Sequence, residues 1–300
     1  MKKYAVIISV IFLIIFFIII FINRPAQLVT VQYGSLKDSF STKALIVRDE
    51  KVIKSPWEGS AYPLQKEGKR ITGGQKVTKI VENNGNENIL YSREAGIISY
   101  AKDGLEDNLT PESLSKFGVD EFDSISRNYD YLTKGKELKS NSAAYRLINN
   151  NNLFLVIKSS TKEAKRYNIN EKVFIQRKQE NNSLIEGKIV RKSSSNNGKS
   201  LLIIKLDQFV NNWLSNRWSE IEFIKNIHKG LIIPEQAIIE YNDELWVISK
   251  NFQDRDEVKN VDIIFKNNNE AIVNGLNAGD RVIINPDVEK IKKEVDNNEN

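Results

Sequence analysis

The residues that could carry chemistry are few, and they match no known catalytic pattern. His228 is the only histidine, and the chain contains no cysteine. A transition-metal site needs several imidazole or thiolate ligands, so we interpret His228, between Lys225 and Lys229, as a solvated residue of a basic loop. The sequence has no nucleophile elbow, phosphate-binding loop or zinc-protease motif. It therefore predicts no catalytic residue, no metal, no cofactor and a protein that is not an enzyme.

Three acidic residues, Asp103, Glu106 and Asp107, carry enough charge for a calcium site. An EF-hand loop places its ligands at alternating positions along about 12 residues, and this segment lacks that spacing. We interpret the three residues as a solvated turn.

The N-terminal segment is the strongest structural signal in the sequence. From Tyr4 to Ile22 the only clearly polar side chain is Ser9. A helix of this length spans roughly 28 Å, close to the ~30 Å of a hydrocarbon core. The run exceeds the about 7 to 15 apolar residues of a signal peptide and leads into Asn23-Arg24-Pro25 rather than a small-residue cleavage site. We favour a retained transmembrane anchor in the lipid bilayer over a cleaved signal peptide.

The charges beside this anchor predict its orientation. Lys2 and Lys3 outweigh Arg24, so the positive-inside rule predicts a cytoplasmic N-terminus. The protein would be a single-pass protein of the cell membrane with an extracytoplasmic body. Without Lys2 and Lys3, 42 basic side chains face 39 acidic ones, a net charge of +3 that does not indicate a nucleic-acid partner. Because cysteine is absent, the body must fold without disulfides.

Short apolar runs separated by Gly, Asn, Asp and Lys follow the anchor and predict a mainly β body. The runs are rich in β-branched and aromatic residues, which is typical of strands. They lie too close together for βαβ units, which favours barrels or sandwiches. The clearest runs are Leu28 to Tyr33, Ala44 to Val47, Val77 to Val81, Ile97 to Tyr100, Leu153 to Ile157, Val173 to Ile175, Leu201 to Leu206, Leu245 to Ile248 and Arg281 to Ile284.

One region, from Leu105 to Leu132, predicts a short helical insert. Thr110-Pro111 is typical of a helix start, and Gly118 of a helix end. Asp120 would cap a second helix, whose apolar residues recur at spacings of three and four. Its apolar stripe would pack on a neighbouring sheet or contact a partner. The candidate partner-contact residues are Leu114, Phe117, Phe122 and Tyr129 of the insert, together with Trp213 and Trp218, which are close in sequence.

Two stretches form a weak internal repeat. In Ser55 to Tyr62 and in Ser92 to Tyr100, a serine precedes a glycine by four residues and strand-like residues follow. Glycine turns in Glu67 to Ile80 lie between them. Together these half-motifs resemble the two halves of a lipoyl-like barrel-sandwich hybrid domain.

The order of the later segments extends the resemblance over almost the whole chain. Leu153 to Ile175, Ile185 to Val190 and Leu201 to Leu206 resemble the β-barrel that follows the hybrid domain in membrane fusion proteins. Lys229 to Ile238 resembles the family's entry into its membrane-proximal domain, and Asn274 to Ile283 is similar to the terminal strand pair of that domain. The sequence thus resembles the hemolysin-D-like periplasmic adaptors related to resistance-nodulation-division pumps.

This resemblance implies a non-enzymatic adaptor or scaffold that acts by protein contact. Its partner would be a transporter or a membrane protein of an envelope or division complex, and the family's ring-shaped assemblies imply a homo-oligomer. Efflux adaptors insert a long helical hairpin between the hybrid halves, but here the gap, Glu82 to Tyr91, has room only for a turn. The same gap has no lysine, so covalent lipoate or biotin is not expected. The alternative function is a module that binds cell wall or glycan.

The resulting fold class is mainly β: an N-terminal transmembrane helix, a lipoyl-like barrel-sandwich hybrid, a β-barrel and a membrane-proximal β domain, with a short helical insert. The predicted segments are 1–25 (cytoplasmic stub and anchor), 26–54 (outgoing strands), 55–152 (hybrid domain with the insert 105–132), 153–228 (β-barrel), 229–286 (membrane-proximal domain) and 287–300 (charged tail).

Overall fold

The computed structural model of the chain describes residues 27–125, 130–177, 183–195, 197–208, 210, 213–251 and 253–298. None of the helices in these ranges has the length and apolar character needed to span a membrane. The predicted anchor, Tyr4 to Ile22, lies outside the described residues, and so does Tyr129.

The described residues form 21 strands and few helices, which confirms the mainly β prediction. The first eleven strands are β1 (Leu28–Thr30), β2 (Gln32–Lys54), β3 (Gly59–Pro63), β4 (Arg70–Ile71), β5 (Lys76–Val81), β6 (Glu87–Tyr91), β7 (Gly96–Ser99), β8 (Ala101–Lys102), β9 (Asp130–Tyr131), β10 (Lys136–Leu138) and β11 (Ala143–Ser160). The others are β12 (Lys172–Arg177), β13 (Leu184–Ser194), β14 (Lys199–Leu206), β15 (Trp218–Pro234), β16 (Ile239–Tyr241), β17 (Glu244–Lys250), β18 (Asp256–Asn260), β19 (Asp262–Lys266), β20 (Glu270–Asn274) and β21 (Arg281–Ile283). The helices are α1 (Val119–Ser124), α2 (Thr161–Ala164) and α3 (Val288–Asn298), with short 3-10 turns at Ser113–Ser115 and Glu235–Ala237.

The chain divides into two compact units. We call Ser39–Asn226 the central unit, and Met1–Asp38 with Ile227–Asn300 the terminal unit. The chain passes from one unit to the other within β2 and again within β15.

In the central unit, one group of antiparallel strands surrounds an apolar core. β11 pairs with β2 and β14, β14 with β13, β13 with β12, and β12 with the first half of β15. Strand alternation brings Ile185, Gly187 and Ile189 of β13 to the core side. Gly187 is required there, because a Cβ would lie 2.8 Å from the Cγ2 atom of Ile204. The core is formed by side chains such as Ile46, Leu155, Ile157, Tyr167, Val173, Ile175, Ile204, Trp213 and Phe223.

A second core of the central unit lies under a four-stranded sheet in the order β10-β3-β5-β6. β7, which pairs with β4 and β11, adds Ile98 to this core. The other buried side chains include Ala61, Ile71, Val77, Ile80, Tyr100, Leu138, Tyr145 and Leu147.

The terminal unit contains the antiparallel order β1-β21-β17-β16, with β18 paired to β17. β20 pairs with β19 and with the last residues of β15. The buried core includes Val31, Ile233, Val247, Val261, Val273 and Val282. Two side chains of α3, Ile291 and Val295, pack on Ile248 and Ile283, so the tail contains a docked helix.

Candidate functional site

Three arginines are buried in the central unit: Arg48, Arg146 and Arg217 are at most 2 % exposed. All three surround the carboxylate of Glu50. The Nη1 atom of Arg146 donates to Glu50 Oε2 at 2.5 Å, and Arg217 Nη2 donates to Glu50 Oε1. The Nε atom of Arg48 lies 3.5 Å from Oε2. One buried carboxylate thus holds guanidinium groups from three separate parts of the chain.

Two further carboxylates complete this group. Arg217 Nε donates to Asp103 Oδ2 at 2.5 Å, and Arg146 Nη1 lies 3.8 Å from Glu106 Oε1. Asp103 and Glu106 have side chains only 3 % and 7 % exposed, so interpreting them as part of a solvated turn is wrong; Asp107 is exposed. We call Arg48, Glu50, Asp103, Glu106, Arg146 and Arg217 the ionic cluster. Its three positive and three negative charges balance, as burial of charge requires.

The ionic cluster also fixes the loop at residues 213–217. Arg48 Nη1 donates to the carbonyls of Trp213 and Asn216, at 2.5 and 3.1 Å. Arg146 Nη2 donates to the carbonyl of Leu214 at 2.9 Å. Because these carbonyls belong to a loop before β15, the cluster ties that loop to β2 and β11.

Burial and neighbouring charge act on the arginines in opposite directions. Burial lowers the pKa of Arg48 to about 10, although Glu50 works against it. Burial also lowers the pKa of Arg217, but the carboxylates of Glu50 and Asp103 outweigh it and raise the pKa above its ordinary value. Both groups are therefore charged at neutral pH, and the cluster is a true ionic network.

A small cavity lies beside the ionic cluster, with a volume of about 10 Å³. Ser99, Tyr100, Tyr145 and Arg146 line it, together with Lys102, Lys136 and apolar residues. This space holds about one water molecule, so it does not serve as a substrate pocket. Burial raises the pKa of both Tyr100 and Tyr145 to about 12.

Most of the predicted partner-contact residues are buried. Leu114, Phe117, Phe122 and Trp213 are between 2 and 6 % exposed. Trp218 is half-buried, and Tyr129 lies outside the described residues. Contact with a partner through these six residues stays a prediction.

The insert packs on the sheet beneath it. Its buried side chains contact Leu45, Val47, Val156, Leu201 and Ile203. The guanidinium of Arg191 donates to the carbonyls of Leu114 and Phe117 at 2.6 and 2.8 Å. The observed contacts are therefore those of an insert that covers its own sheet.

The start of α1 differs from the sequence prediction. Gly118, which we expected to end the first helix, precedes α1 in an extended conformation, and its N–H donates to Glu121 Oε2 at 3.0 Å. Asp120 lies inside the first turn, so its prediction as the N-cap is wrong. The acceptor comes from the third helical residue, as in half of a capping box.

The buried side chain of Phe122 packs against the half-buried side chain of Trp218. Their ring centroids are 5.2 Å apart in an edge-to-face arrangement. They line an open pocket of about 340 Å³ together with Thr42, Lys43, Asp123, Ile125 and Lys158. Lys158 pairs with Asp123. Two of the six predicted contact residues are thus adjacent to solvent and to charged groups.

A tight turn joins β5 and β6, in the gap where efflux adaptors insert their hairpin. The N–H of Glu82 donates to the Asn86 carbonyl, and that of Gly85 to the Glu82 carbonyl, both at 2.9 Å. Gly85 has a φ of 84°, which favours glycine. The prediction of a turn in place of the long hairpin is confirmed.

His228 lies within β15, so its interpretation as a loop residue is wrong. Its ring stacks on Phe265, with centroids 4.2 Å apart. The neighbouring lysines suggested a solvated loop, but His228 is half-buried in a strand that pairs with β12 and β20. Across the described ranges, no group of three or more His, Asp or Glu side chains is arranged to hold a metal ion.

The ionic cluster is not among the predicted site residues, although two features of the sequence indicate it. Arg48 follows the apolar run Ala44 to Val47, and Arg146 stands inside Ala143 to Ile148. A charged residue inside a buried strand needs a partner. The identity of that partner is not visible from spacing, because Glu50 is 96 residues from Arg146 and 167 from Arg217.

Several solved structures resemble the chain at low identity. MacA from Actinobacillus actinomycetemcomitans is 11% identical with a TM-score of 0.40, over 85% of this chain and 98% of that one. ZneB from Cupriavidus metallidurans is 11% identical with a TM-score of 0.33, over 89% and 94%. The membrane fusion protein Spr0693 from Streptococcus pneumoniae R6 is 11% identical with a TM-score of 0.32, over 63% and 99%. With TM-scores this low, these similarities support no conclusion about this chain.

Two family models match adjacent segments of the chain. Residues 50–149 match the RND-related barrel-sandwich hybrid domain, and residues 153–227 match the RND-related β-barrel domain. Together the matches cover more than half of the 300 residues. No curated protein matches the chain in sequence. The chain therefore belongs to the RND-related proteins that join a barrel-sandwich hybrid domain to a β-barrel domain.

Proposed function

We propose that the protein is a membrane-anchored, extracytoplasmic adaptor that acts by protein contact and not by catalysis. Its anchor would be Tyr4 to Ile22, and its partner a transporter or another membrane protein of the envelope. The family assignment supports the adaptor role. We keep the predicted segments 26–54, 55–152, 153–228 and 229–286 as proposed domain boundaries.

The observation that carries the proposal is the ionic cluster. Glu50 belongs to the segment that matches the hybrid domain, and Arg217 to the segment that matches the β-barrel. Their buried ion pair, with that of Arg217 and Asp103, fixes the two segments in one relative position. An adaptor needs such a rigid body, because contact surfaces on different domains reach a partner together only if their spacing is fixed.

The turn at residues 82–86 limits where a partner would be met. An adaptor without a long hairpin must use the bodies of its domains as contact surfaces. In the central unit, the pocket beside Phe122 and Trp218 supports such a contact, because it combines two aromatic side chains with the exposed Lys43. Aromatic residues at the centre of a contact with charges at its rim are typical of protein interfaces.

Site-specific crosslinking in native membranes tests this function. A photoreactive amino acid replaces Lys43 at the pocket in the full-length chain, and Lys199 in the control. Lys199 is also an exposed lysine of the central unit, but it does not line the pocket. We expect an adduct with one integral membrane protein at position 43 and none at 199. No adduct at either position, or the same adduct at both, would contradict the proposal.

Deletion of the insert, residues 105–132, is a poor test of partner contact. The structure shows that deletion would expose Leu45, Val47, Val156, Leu201 and Ile203. The charge reversal Lys43→Glu leaves this packing intact and should reduce the crosslink from a neighbouring pocket position, Thr42. Lys199→Glu is the matched control.

A further inference from the structure

The described residues of the terminal unit begin at Gln27, close in sequence to the predicted anchor. The carbonyl of Gln27 accepts a hydrogen bond from the Ile284 N–H at 2.9 Å, so the chain is part of the fold from this residue onward. Only five residue steps separate Gln27 from Ile22. A fully extended chain of that length covers about 17 Å. If Tyr4 to Ile22 is in lipid, Gln27 is therefore held near the bilayer surface.

A groove of about 520 Å³ opens within the residues that follow. It is lined by Val29, Thr30, Gln32, Tyr33, Gly34, Ile232, Pro234 and Glu270. Tyr33 is 70 % exposed, more than any other large apolar or aromatic side chain in the described residues. The groove therefore combines apolar side chains, Val29, Ile232 and Pro234, with polar ones and with a protruding aromatic ring.

The backbone around Tyr33 is fixed. Val31 is fully buried, its N–H donates to the Asp280 carbonyl at 2.7 Å, and its carbonyl accepts from Gly279 N–H at 2.9 Å. Gly34 has no side chain, and a Cβ there would lie 2.7 Å from Ile232 Cδ1. Ile232 thus fills the space beside residue 34, and the exposure of Tyr33 is imposed by the strand on either side of it.

The chemistry of the groove fits the interfacial region of a bilayer. Tyrosine has an apolar ring and a polar tip, and it is enriched where membranes meet water. Residues 27–38 and 227–300 contain ten basic and sixteen acidic side chains, a net charge of −6, so attraction to anionic lipids does not explain contact. We propose that Tyr33 and this groove form the terminal unit's contact with the phospholipid headgroup region. The proposal rests on the anchor in the proposed function.

The absence of cysteine permits a direct test with single labels. Full-length Tyr33→Cys and Tyr91→Cys variants carry an environment-sensitive fluorophore and are reconstituted in phosphatidylcholine vesicles. Tyr91 is the matched control, because it is also an exposed tyrosine but lies far from the anchor in sequence. Lipids with a spin label near the headgroup should quench position 33 about twofold or more and leave position 91 unchanged. Equal emission changes at both positions would overturn the proposal.

A second label separates the role of Tyr33 from that of the groove. The Gln32→Cys variant keeps Tyr33 and should also be quenched, whereas adding Tyr33→Asp should abolish the quenching and adding Tyr33→Trp should preserve it. Quenching that survives Tyr33→Asp would overturn the role of the aromatic ring. Circular dichroism checks that each variant is folded.

Photocrosslinking in native membranes distinguishes lipid from protein as the occupant of the groove. A photoreactive group at position 33 should yield lipid adducts, and a protein-sized adduct would overturn the lipid contact. Resistance of the chain to carbonate extraction tests the anchor separately. Failure of the crosslink at position 43 would contradict only the adaptor role. The quenching expected at position 33 does not depend on it.

Discussion

The central and terminal units place their charges in opposite ways. In the central unit, six charged side chains of the ionic cluster are at most 7 % exposed. In the terminal unit, the described ion pairs lie at the surface, for example Lys259 with Asp280 at 2.9 Å and Arg281 with Asp254 at 3.1 Å. The terminal unit thus depends mainly on its apolar core. The central unit also depends on a buried electrostatic match between two domains.

The difference between the two units indicates where the relative position of two segments is fixed. Burying charge is costly, and an apolar core of the same volume is often as stable. A balanced network penalises any arrangement that separates one partner from the others, because the remaining charges stay buried and unpaired. We therefore expect the ionic cluster to fix the relative position of the hybrid and β-barrel segments more than it adds to net stability.

Glu50→Ala should have the largest effect, because it leaves three buried arginines without their common carboxylate. We expect the free energy of unfolding to fall by about 3 to 5 kcal/mol. Denaturant unfolding of the full-length chain in detergent measures it.

The matched control is Glu94→Ala, which removes an exposed carboxylate 3.0 Å from Lys51. It should change the free energy of unfolding by less than about 1 kcal/mol. If Glu50→Ala and Glu94→Ala lowered the free energy of unfolding by similar amounts, the buried and the surface carboxylate would contribute equally. That result would contradict the prediction.

Leu114→Ala should have the next largest effect. The side chain is 4 % exposed and packs on the sheet of the central unit. Removing it should lower the free energy of unfolding by about 3 kcal/mol, measured by the same denaturant titration. A residue used only for partner contact would leave stability unchanged, so an unaltered unfolding midpoint would refute its packing role.

Two tyrosines of the central unit predict an alkaline loss of stability. Burial raises the pKa of Tyr100 and Tyr145 to about 12, above the ordinary value of 10. The folded state thus holds these protons more tightly than the unfolded state. The contribution of the two protonated tyrosines to folding stability is therefore fully present below pH 10 and is lost as the pH rises toward 12. Ultraviolet titration should show late ionisation in the folded protein, and Tyr145→Phe should remove part of it. Ionisation of all tyrosines near pH 10 would contradict the burial.

Lys259→Met in the terminal unit should have the smallest effect. Burial raises the pKa of Asp280, but the Asn277 N–H and Lys259 outweigh it and hold the pKa below its ordinary range. The stability that the lowered pKa of Asp280 contributes is fully present at pH values above the ordinary pKa of an aspartate. It is lost as the pH falls through the lowered pKa of the folded state. Because the pair is partly exposed, its removal should cost at most about 1 kcal/mol at pH 7. If the acid unfolding curve of Lys259→Met differs strongly from that of the wild type, this ion pair contributes to stability as much as a buried pair of the ionic cluster does. That result would contradict the prediction.

The sequence predicted elements better than it predicted their contacts. Val77 to Val81 and Leu201 to Leu206 were recognised as strands, because β-branched runs between turn residues report local conformation. β2 extends over 23 residues, which the sequence did not indicate, because polar residues interrupt its apolar pattern. The ionic cluster required tertiary information, since its partners are far apart in sequence. The insert residues looked like a docking stripe because an apolar helix face has the same pattern whether it meets a partner or its own sheet.

Hydrogen exchange of the full-length chain in detergent measures whether the ionic cluster couples the two matched segments. If the ionic cluster joins the two matched segments, peptides from β5 and β6 and peptides from β13 and β14 should open with one common free energy. In Glu50→Ala, the two sets should separate. Separate opening in the wild-type protein, with no change in the variant, would contradict the account.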